Sequence, residues 1–258
     1  MYFIIGGHPR SGTTMLFELF RRHPEIGITG EFRCFQRLGV PFPEHVAGLQ
    51  TKWYRKSFIR HIGPRSPWVF NLLSGIFLAR YLFLLRTRVG PRLVTAEDVA
   101  DVLGVIFRKP LVGDKYPRYI FKIDKFCKLP DMKRVMIYRD GRDVVSSFLY
   151  QLRTRWKGLP ISEKGLTVRD ITLKWVDSIE KTERNRERLF VIRYEDFVND
   201  PSPILRQLAG YLNIAPDGFS SKKIHDRSIG KFQTGLTRDE LREVMEFGGE
   251  TLERLGYA

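Results

Sequence analysis

The stretch Phe3-Ile4-Ile5-Gly6-Gly7-His8-Pro9-Arg10-Ser11-Gly12-Thr13-Thr14 constrains the fold more than any other part of the chain. An apolar run with strand character, Phe3 to Ile5, meets glycines that permit a tight turn. The residues that follow, Met15-Leu16-Phe17-Glu18-Leu19-Phe20, are apolar enough for a helix packed on a sheet. Strand, glycine loop and helix in this order aim the helix's free N–H groups into the loop. Together with the positive end of the helix dipole they form an anion site, for which phosphate or sulfate is the usual occupant.

The spacing from Gly7 to Gly12 and on to Thr14 follows the nucleotide-binding pattern G-x-x-x-x-G-K-[ST], with Thr13 in the lysine position. That lysine neutralises the β and γ phosphates of a nucleoside triphosphate, so its replacement argues against ATP or GTP as ligand. Arg10 can supply the charge instead. A nucleoside or small-molecule kinase stays open as an alternative, because it too needs a glycine loop.

Pro9-Arg10-Ser11-Gly12-Thr13-Thr14 resembles the 5′-phosphosulfate loop of the P-loop sulfotransferases, P-[RK]-S-G-T-[TS]. The arginine is nearer the carbohydrate, tyrosylprotein and bacterial branches than the cytosolic aryl branch, which favours lysine. The resemblance implies 3′-phosphoadenosine 5′-phosphosulfate (PAPS) as sulfuryl donor, with adenosine 3′,5′-bisphosphate as product. It also implies that Arg10, Ser11, Gly12, Thr13 and Thr14 hold the 5′-phosphate and bridging oxygen.

Five further elements resemble the same family. Gly30-Glu31, beyond His23-Pro24-Glu25, stands where several branches carry the catalytic base, which makes Glu31 the candidate. Gly113-Asp114-Lys115-Tyr116-Pro117 resembles G-[DE]-K-[TS]-P, with Tyr116 where a small hydroxyl residue is commoner. Lys115 then lies at a strand's carboxyl end, where open α/β sheets place ligands, and is the candidate to offset charge on the leaving phosphate. Arg139-Asp140-Gly141-Arg142-Asp143, with Ser147 eight positions beyond Arg139, resembles the grip on the cofactor's 3′-phosphate. A guanidinium offers a planar fork to phosphate oxygens and a hydroxyl adds a neutral donor. Tyr194, within Arg193-Tyr194-Glu195-Asp196, and Lys231, within Arg227-Ser228-Ile229-Gly230-Lys231, complete the implied nucleotide contacts. Histidine is the rival base, as in the aryl branch, and His45 and His61 fall in the acceptor-side region. No metal is expected, since sulfuryl transfer sheds less charge than triphosphate chemistry and no carboxylate cluster occurs.

With 258 residues the chain suits a single α/β domain, 1–258, and its 43% hydrophobic and 13% aromatic content excludes disorder. Lys and Arg number 44 against 29 Asp and Glu, a net charge of +15 that favours anionic partners. Among these an acidic acceptor or an anionic membrane surface fits better than nucleic acid, for which no motif is present. A non-catalytic anion- or membrane-binding module is therefore the second alternative. Two cysteines, Cys34 and Cys127, are too few for a disulfide framework or zinc site, and with a strand beginning at residue 3 the expected compartment is the cytoplasm.

The remaining chain predicts alternating elements. Ile26–Thr29, Arg134–Tyr138 and Leu189–Ile192 read as strands. Thr167 to Asp170 and Thr237 to Glu240 read as capping boxes that open helices, and Asp200-Pro201 opens another with Ile204, Leu205, Leu208 and Leu212 inward. Alternation of this kind predicts a P-loop-type three-layer sandwich, a central parallel sheet flanked by helices. Residues 41–110 carry no recognisable motif and are expected to be a mainly helical insertion on the acceptor side. Within them Trp68 to Leu85 is strongly apolar. A membrane crossing there would separate the first strand from the later ones, so a buried helix is expected, with interfacial binding left open by Arg60, Arg65, Arg86 and Arg88. The acceptor is expected to bear a hydroxyl or amine.

Overall fold

The computed structural model describes residues 1–50, 67–158, 161, 163, 165–220, 224 and 228–258. The chain runs β1 (Tyr2–Gly6), α1 (Thr13–Phe20), β2 (Ile26–Gly30), α2 (Phe42–Gly48), α3 (Pro67–Val89), α4 (Ala96–Phe107) and β3 (Leu111–Lys115). After a 3₁₀ segment (Pro117–Lys122) and a single helical turn (Ile123–Phe126) come β4 (Met132–Tyr138), α5 (Gly141–Arg153), α6 (Val168–Arg184) and β5 (Phe190–Arg193). The chain closes with α7 (Tyr194–Asn199), α8 (Pro201–Leu212), α9 (Phe232–Gly235) and α10 (Arg238–Arg254).

The five strands form one parallel sheet in the order β2-β3-β1-β4-β5. Ile5 is in register with Lys115 on one side and Val135 on the other, and Gly30 with Lys115, so the carboxyl ends of β1, β2 and β3 share one edge. The chain builds β2 and β3 on one side of β1 and then crosses to β4 and β5 on the other. Such a reversal opens a crevice at the carboxyl end of the middle strand.

Alternation along β1 assigns its side chains to two layers. Tyr2 and Ile4 join a core with Val112, Met136 and the helices α3 and α4, whereas Phe3 and Ile5 join a core with α1, Val135, Ile137 and Leu208. Both faces are covered, which is why β1 reads as an unbroken apolar run. A third cluster gathers α5, α6 and α10 around the fully buried Trp175. Both expected capping boxes form, at Thr167/Asp170 and Thr237/Glu240, and a third forms at Thr95/Asp98.

Residues 41–110 contain α2, α3 and α4. The expectation of a buried helix over 68–85 needs correction. Phe77, Tyr81, Leu85 and Val89, spaced by four, are buried, but Trp68, Leu72, Ile76 and Phe83 on the opposite side are 48–72% exposed. Among the described residues no helix is long and apolar enough to cross a membrane. His61, Arg60, Arg65 and Arg227 lie outside the described residues.

Candidate active site

The loop between β1 and α1 is tied down before any ligand is considered. Gly7 N donates to Pro117 O (3.0 Å) and Ser11 N to His8 O (3.1 Å). Two of its glycines are obligatory. Gly7 has φ 144°, and a Cβ there would stand 2.2 Å from Ile137 O; Gly12 has φ 104°, and its Cβ would stand 2.7 Å from the Tyr194 ring. Tyr194 is 5% exposed and packs between this glycine and the Arg139 guanidinium, whose carbon lies 4.7 Å from the ring centroid. Its position is that of a wedge between the glycine loop and the turn after β4. Thr13 is buried and Thr14 exposed on the first turn of α1.

Arg10 adopts φ 80°, a left-handed conformation that costs a non-glycine residue roughly 1–3 kcal/mol. Its Nε donates to Ser147 Oγ across 3.0 Å, so the glycine loop and the first turns of α5 are joined by the two residues expected to contact different phosphates. Burial and the neighbouring Arg139 lower the Arg10 pKa, as expected when two guanidinium groups share a partly dry site. Arg139, at the end of β4, is 5% exposed. Its Nη2 pairs with Asp143 (2.9 Å) and also donates to the Ser228 carbonyl. Among the described residues the buried Ser11 Oγ and Arg139 Nε have no hydrogen-bond partner. A buried polar group left unmatched is costly, and an anionic oxygen accepting from each would satisfy it.

Asp143 also fixes the late basic loop, accepting from Gly230 N and Phe232 N at 2.9 Å each. Lys231 lies exposed between these anchored amides.

Lys115, 4% exposed, ends β3 with its Nζ 2.7 Å from Glu31 Oε1 and 5.6 Å from the Phe17 ring centroid of α1. Glu31 is partly exposed and sits at φ 61°; Arg33, two residues on, has φ 64°. Asp114 holds this strained turn. Its wholly buried carboxylate accepts from Thr29 Oγ1 (2.6 Å), Tyr119 OH (2.6 Å), Arg33 N (3.0 Å) and Phe32 N (3.2 Å). Burial pushes the Asp114 carboxyl up to about 6, with the bonds from Thr29 and Tyr119 opposing the shift. The rival base His45 belongs to the core: it is 1% exposed, with Nδ1 2.7 Å from Arg37 O and Nε2 3.0 Å from Tyr81 OH. Burial lowers its pKa, and neither nitrogen is available to an acceptor.

Sequence reasoning quoted Asp114 and Asp143 within motifs but gave them no role, and it passed over Tyr257. The C-terminal Tyr257 donates to Glu195 Oε2 (2.6 Å) and accepts from Arg193 Nε (3.2 Å), while its carbonyl accepts from Arg142 (2.6 Å). Glu195 in turn accepts from Asp140 N (3.1 Å), so the chain end clamps the turns after β4 and β5 together. Tyr257→Phe should lower stability by about 1.5–3 kcal/mol, the worth of a hydrogen bond to a charged group. Chemical denaturation checks this; an unchanged midpoint would show the clamp to be idle. No pattern in the sequence marks this tyrosine, since its partners lie some sixty residues or more away.

The chain is 25% identical to nodulation protein NoeE of Sinorhizobium fredii, the match covering 97% of this chain and 64% of that protein. It is 24% identical to protein-tyrosine sulfotransferase A of Caenorhabditis elegans, covering 89% of this chain and 54% of that one. The chain thus spans somewhat more than half the length of these relatives. Among solved structures, the sulfotransferase domain from the curacin biosynthetic pathway shares the fold, with a TM-score of 0.60 at 19% identity, covering 100% of this chain and 98% of that one. The sequence pattern of the sulfotransferase family matches residues 3–217, most of the chain, and this protein belongs to that family.

Proposed function

We propose that this sulfotransferase transfers the sulfuryl group of PAPS to a hydroxyl or amine, with Glu31 as general base and Lys115 as the electrophilic partner. One observation carries the donor assignment: two unpartnered buried donors, Ser11 Oγ and Arg139 Nε, lie on elements joined through the Arg10–Ser147 hydrogen bond. A donor with phosphates at both the 5′ and 3′ positions fits two such sites; one with a single phosphate cluster leaves one of them idle. PAPS, when bound, supplies an activated sulfuryl group on a phosphate leaving group.

The chain's own residues then have separate tasks. Arg10, Ser11, Gly12, Thr13 and Thr14 cradle the 5′-phosphate end, the helix dipole of α1 adding to their charge. Arg139 and Ser147 hold the 3′-phosphate, Tyr194 keeps the two sites at their spacing, and Lys231 lends charge from the late loop. Glu31 accepts the proton of the acceptor, and the ammonium of Lys115 stands ready to offset negative charge on the departing phosphate. The two are in contact, 2.7 Å apart, where β2 and β3 end. In this scheme residues 1–258 act as one catalytic unit, with the α2–α4 region forming the acceptor side. The protein-tyrosine sulfotransferases among its relatives support a hydroxyl acceptor, and the net charge of +15 favours an acidic one.

Calorimetric titration with adenosine 3′,5′-bisphosphate, and separately with ADP plus magnesium, tests this reading. The bisphosphate should bind at least about tenfold more tightly, the worth of a hydrogen bond to a charged phosphate. Tighter binding of ADP with magnesium would establish the kinase alternative, and no binding of either a non-catalytic module.

A further inference from the structure

Helix α3 carries large apolar residues on both its inner and its outer face, yet only one of the two faces the protein. Toward the core it presents Phe77, Tyr81, Leu85 and Val89; away from it stand Trp68 at 72%, Leu72 at 48%, Ile76 at 54% and Phe83 at 70% exposure. The outward residues fall on one stripe, spaced at three and four residues with Ala79 between Ile76 and Phe83. The stripe extends about 22 Å at 1.5 Å per residue. A surface helix ordinarily carries polar residues on its outer face, and a contiguous row of large apolar side chains marks an interaction surface.

Charge decides what covers it. The segment Pro67–Val89 contains Arg80, Arg86 and Arg88 and no acidic residue. Arg88 is engaged with Asp98 and Asp101 of α4, and Arg86 donates to Gly90 O (3.1 Å) and lies over the Phe42 ring; Arg80 and Arg86 are both exposed, beside or just beyond the stripe. A two-fold pairing of two copies through this face would bring the arginines of both helices into one interface with no carboxylate from either helix to compensate. A surface of anionic headgroups over acyl chains matches both features, with tryptophan at the interface, aliphatic and phenyl groups below it, and arginines at headgroup level. The net charge of +15 draws the whole molecule toward the same surface.

We infer that the exposed face of α3 is a docking surface for anionic lipid bilayers, with Trp68, Leu72, Ile76 and Phe83 entering the interface and Arg80 and Arg86 meeting the headgroups. The inference does not depend on the sulfuryl-transfer reading, but it has a consequence for it. Phe32, adjacent to Glu31, packs on the other side of the same helix, 5.5 Å from Phe77 and 4.9 Å from Tyr81 between ring centroids. Docking through α3 therefore sets the Glu31 turn about one helix diameter, some 10–12 Å, from the membrane surface. Acceptors with a hydroxyl or amine displayed from a bilayer are within reach there.

Flotation with phosphatidylcholine vesicles, with and without phosphatidylserine, tests the docking without any activity measurement. The wild-type chain should float with the serine-containing vesicles and far less with phosphatidylcholine alone. The Ile76→Glu/Phe83→Glu pair should weaken that binding by about tenfold or more, since each side chain withdrawn from the interface gives up the transfer free energy of a large apolar group. Because both positions are exposed, thermal unfolding should be unchanged. A second pair, Trp68→Ser/Leu72→Ser, adds no charge and should lose binding in the same way, so the test survives misfolding of the first. Failure of the wild type to float with anionic vesicles, or binding that survives both pairs, overturns the proposal. So does a concentration-dependent dimer, seen by sedimentation in the absence of vesicle binding and dissolved by the same substitutions, which would make a second copy the occupant.

Discussion

Glu31→Gln is expected to lower turnover by roughly 10² to 10⁴, the usual contribution of a positioned general base, while leaving the affinity for adenosine 3′,5′-bisphosphate intact or slightly improved. A hydroxyl is a poor nucleophile until its proton has somewhere to go. Glutamine retains the length and shape of the side chain, so the left-handed turn at residue 31 and the hydrogen bonds that Asp114 makes to Phe32 and Arg33 persist. What changes is the charge facing Lys115, now 2.7 Å from the carboxylate and almost wholly buried. Without its anion the ammonium gains from a bound phosphate, which is why affinity is not expected to fall. The measurement is turnover under saturating donor once an acceptor is in hand, alongside His45→Ala as control. That variant removes a core hydrogen bond to Tyr81 and should cost stability rather than chemistry. A Glu31→Gln enzyme working within a few-fold of wild type would move the base elsewhere, and the donor assignment would stand.

Much of this site was legible because its elements are short and local. A glycine loop, the run Arg139 to Asp143 and the pair Asp114-Lys115 each sit at the junction of a strand and the segment after it, where period-two apolarity gives way to turn chemistry. The parallel register then places Gly6, Gly30 and Lys115 on one edge of the sheet, so residues distant in sequence meet without further information. Contacts that depend on chain return were not legible. Nothing local announces that Asp143 holds the amides of Gly230 and Phe232, or that Tyr257 closes on Glu195. His45 was misread as a candidate base for a related reason, since partners at Arg37 and Tyr81 emerge only once α2 and α3 are packed. Helix α3 shows the limit of composition. An apolar stretch predicts burial, but on which face, and against what, is settled by the elements beside it.

Arg139→Ala should weaken binding of adenosine 3′,5′-bisphosphate by about tenfold to a hundredfold and leave AMP almost unaffected, since a hydrogen bond to a charged group is worth roughly 1.5–3 kcal/mol. The structure adds a complication that the sequence does not show. Arg139 is also the buried partner of Asp143, whose side chain is 1% exposed, and removing one member of a buried ion pair typically costs about 3–5 kcal/mol of stability. Two effects are then mixed, loss of a ligand contact and loosening of the loop that Asp143 anchors. Arg139→Ala/Asp143→Asn separates them. Asparagine leaves no uncompensated charge and can still accept from Gly230 or Phe232, so the double variant should recover much of the lost melting temperature. It should not recover the preference for the 3′-phosphate, because no guanidinium remains to supply it. Calorimetry with both nucleotides on all three proteins gives the comparison. Equal losses for AMP and the bisphosphate in the single variant, with both restored in the double, would show that Arg139 only holds the loop and that the 3′-phosphate is bound by other residues.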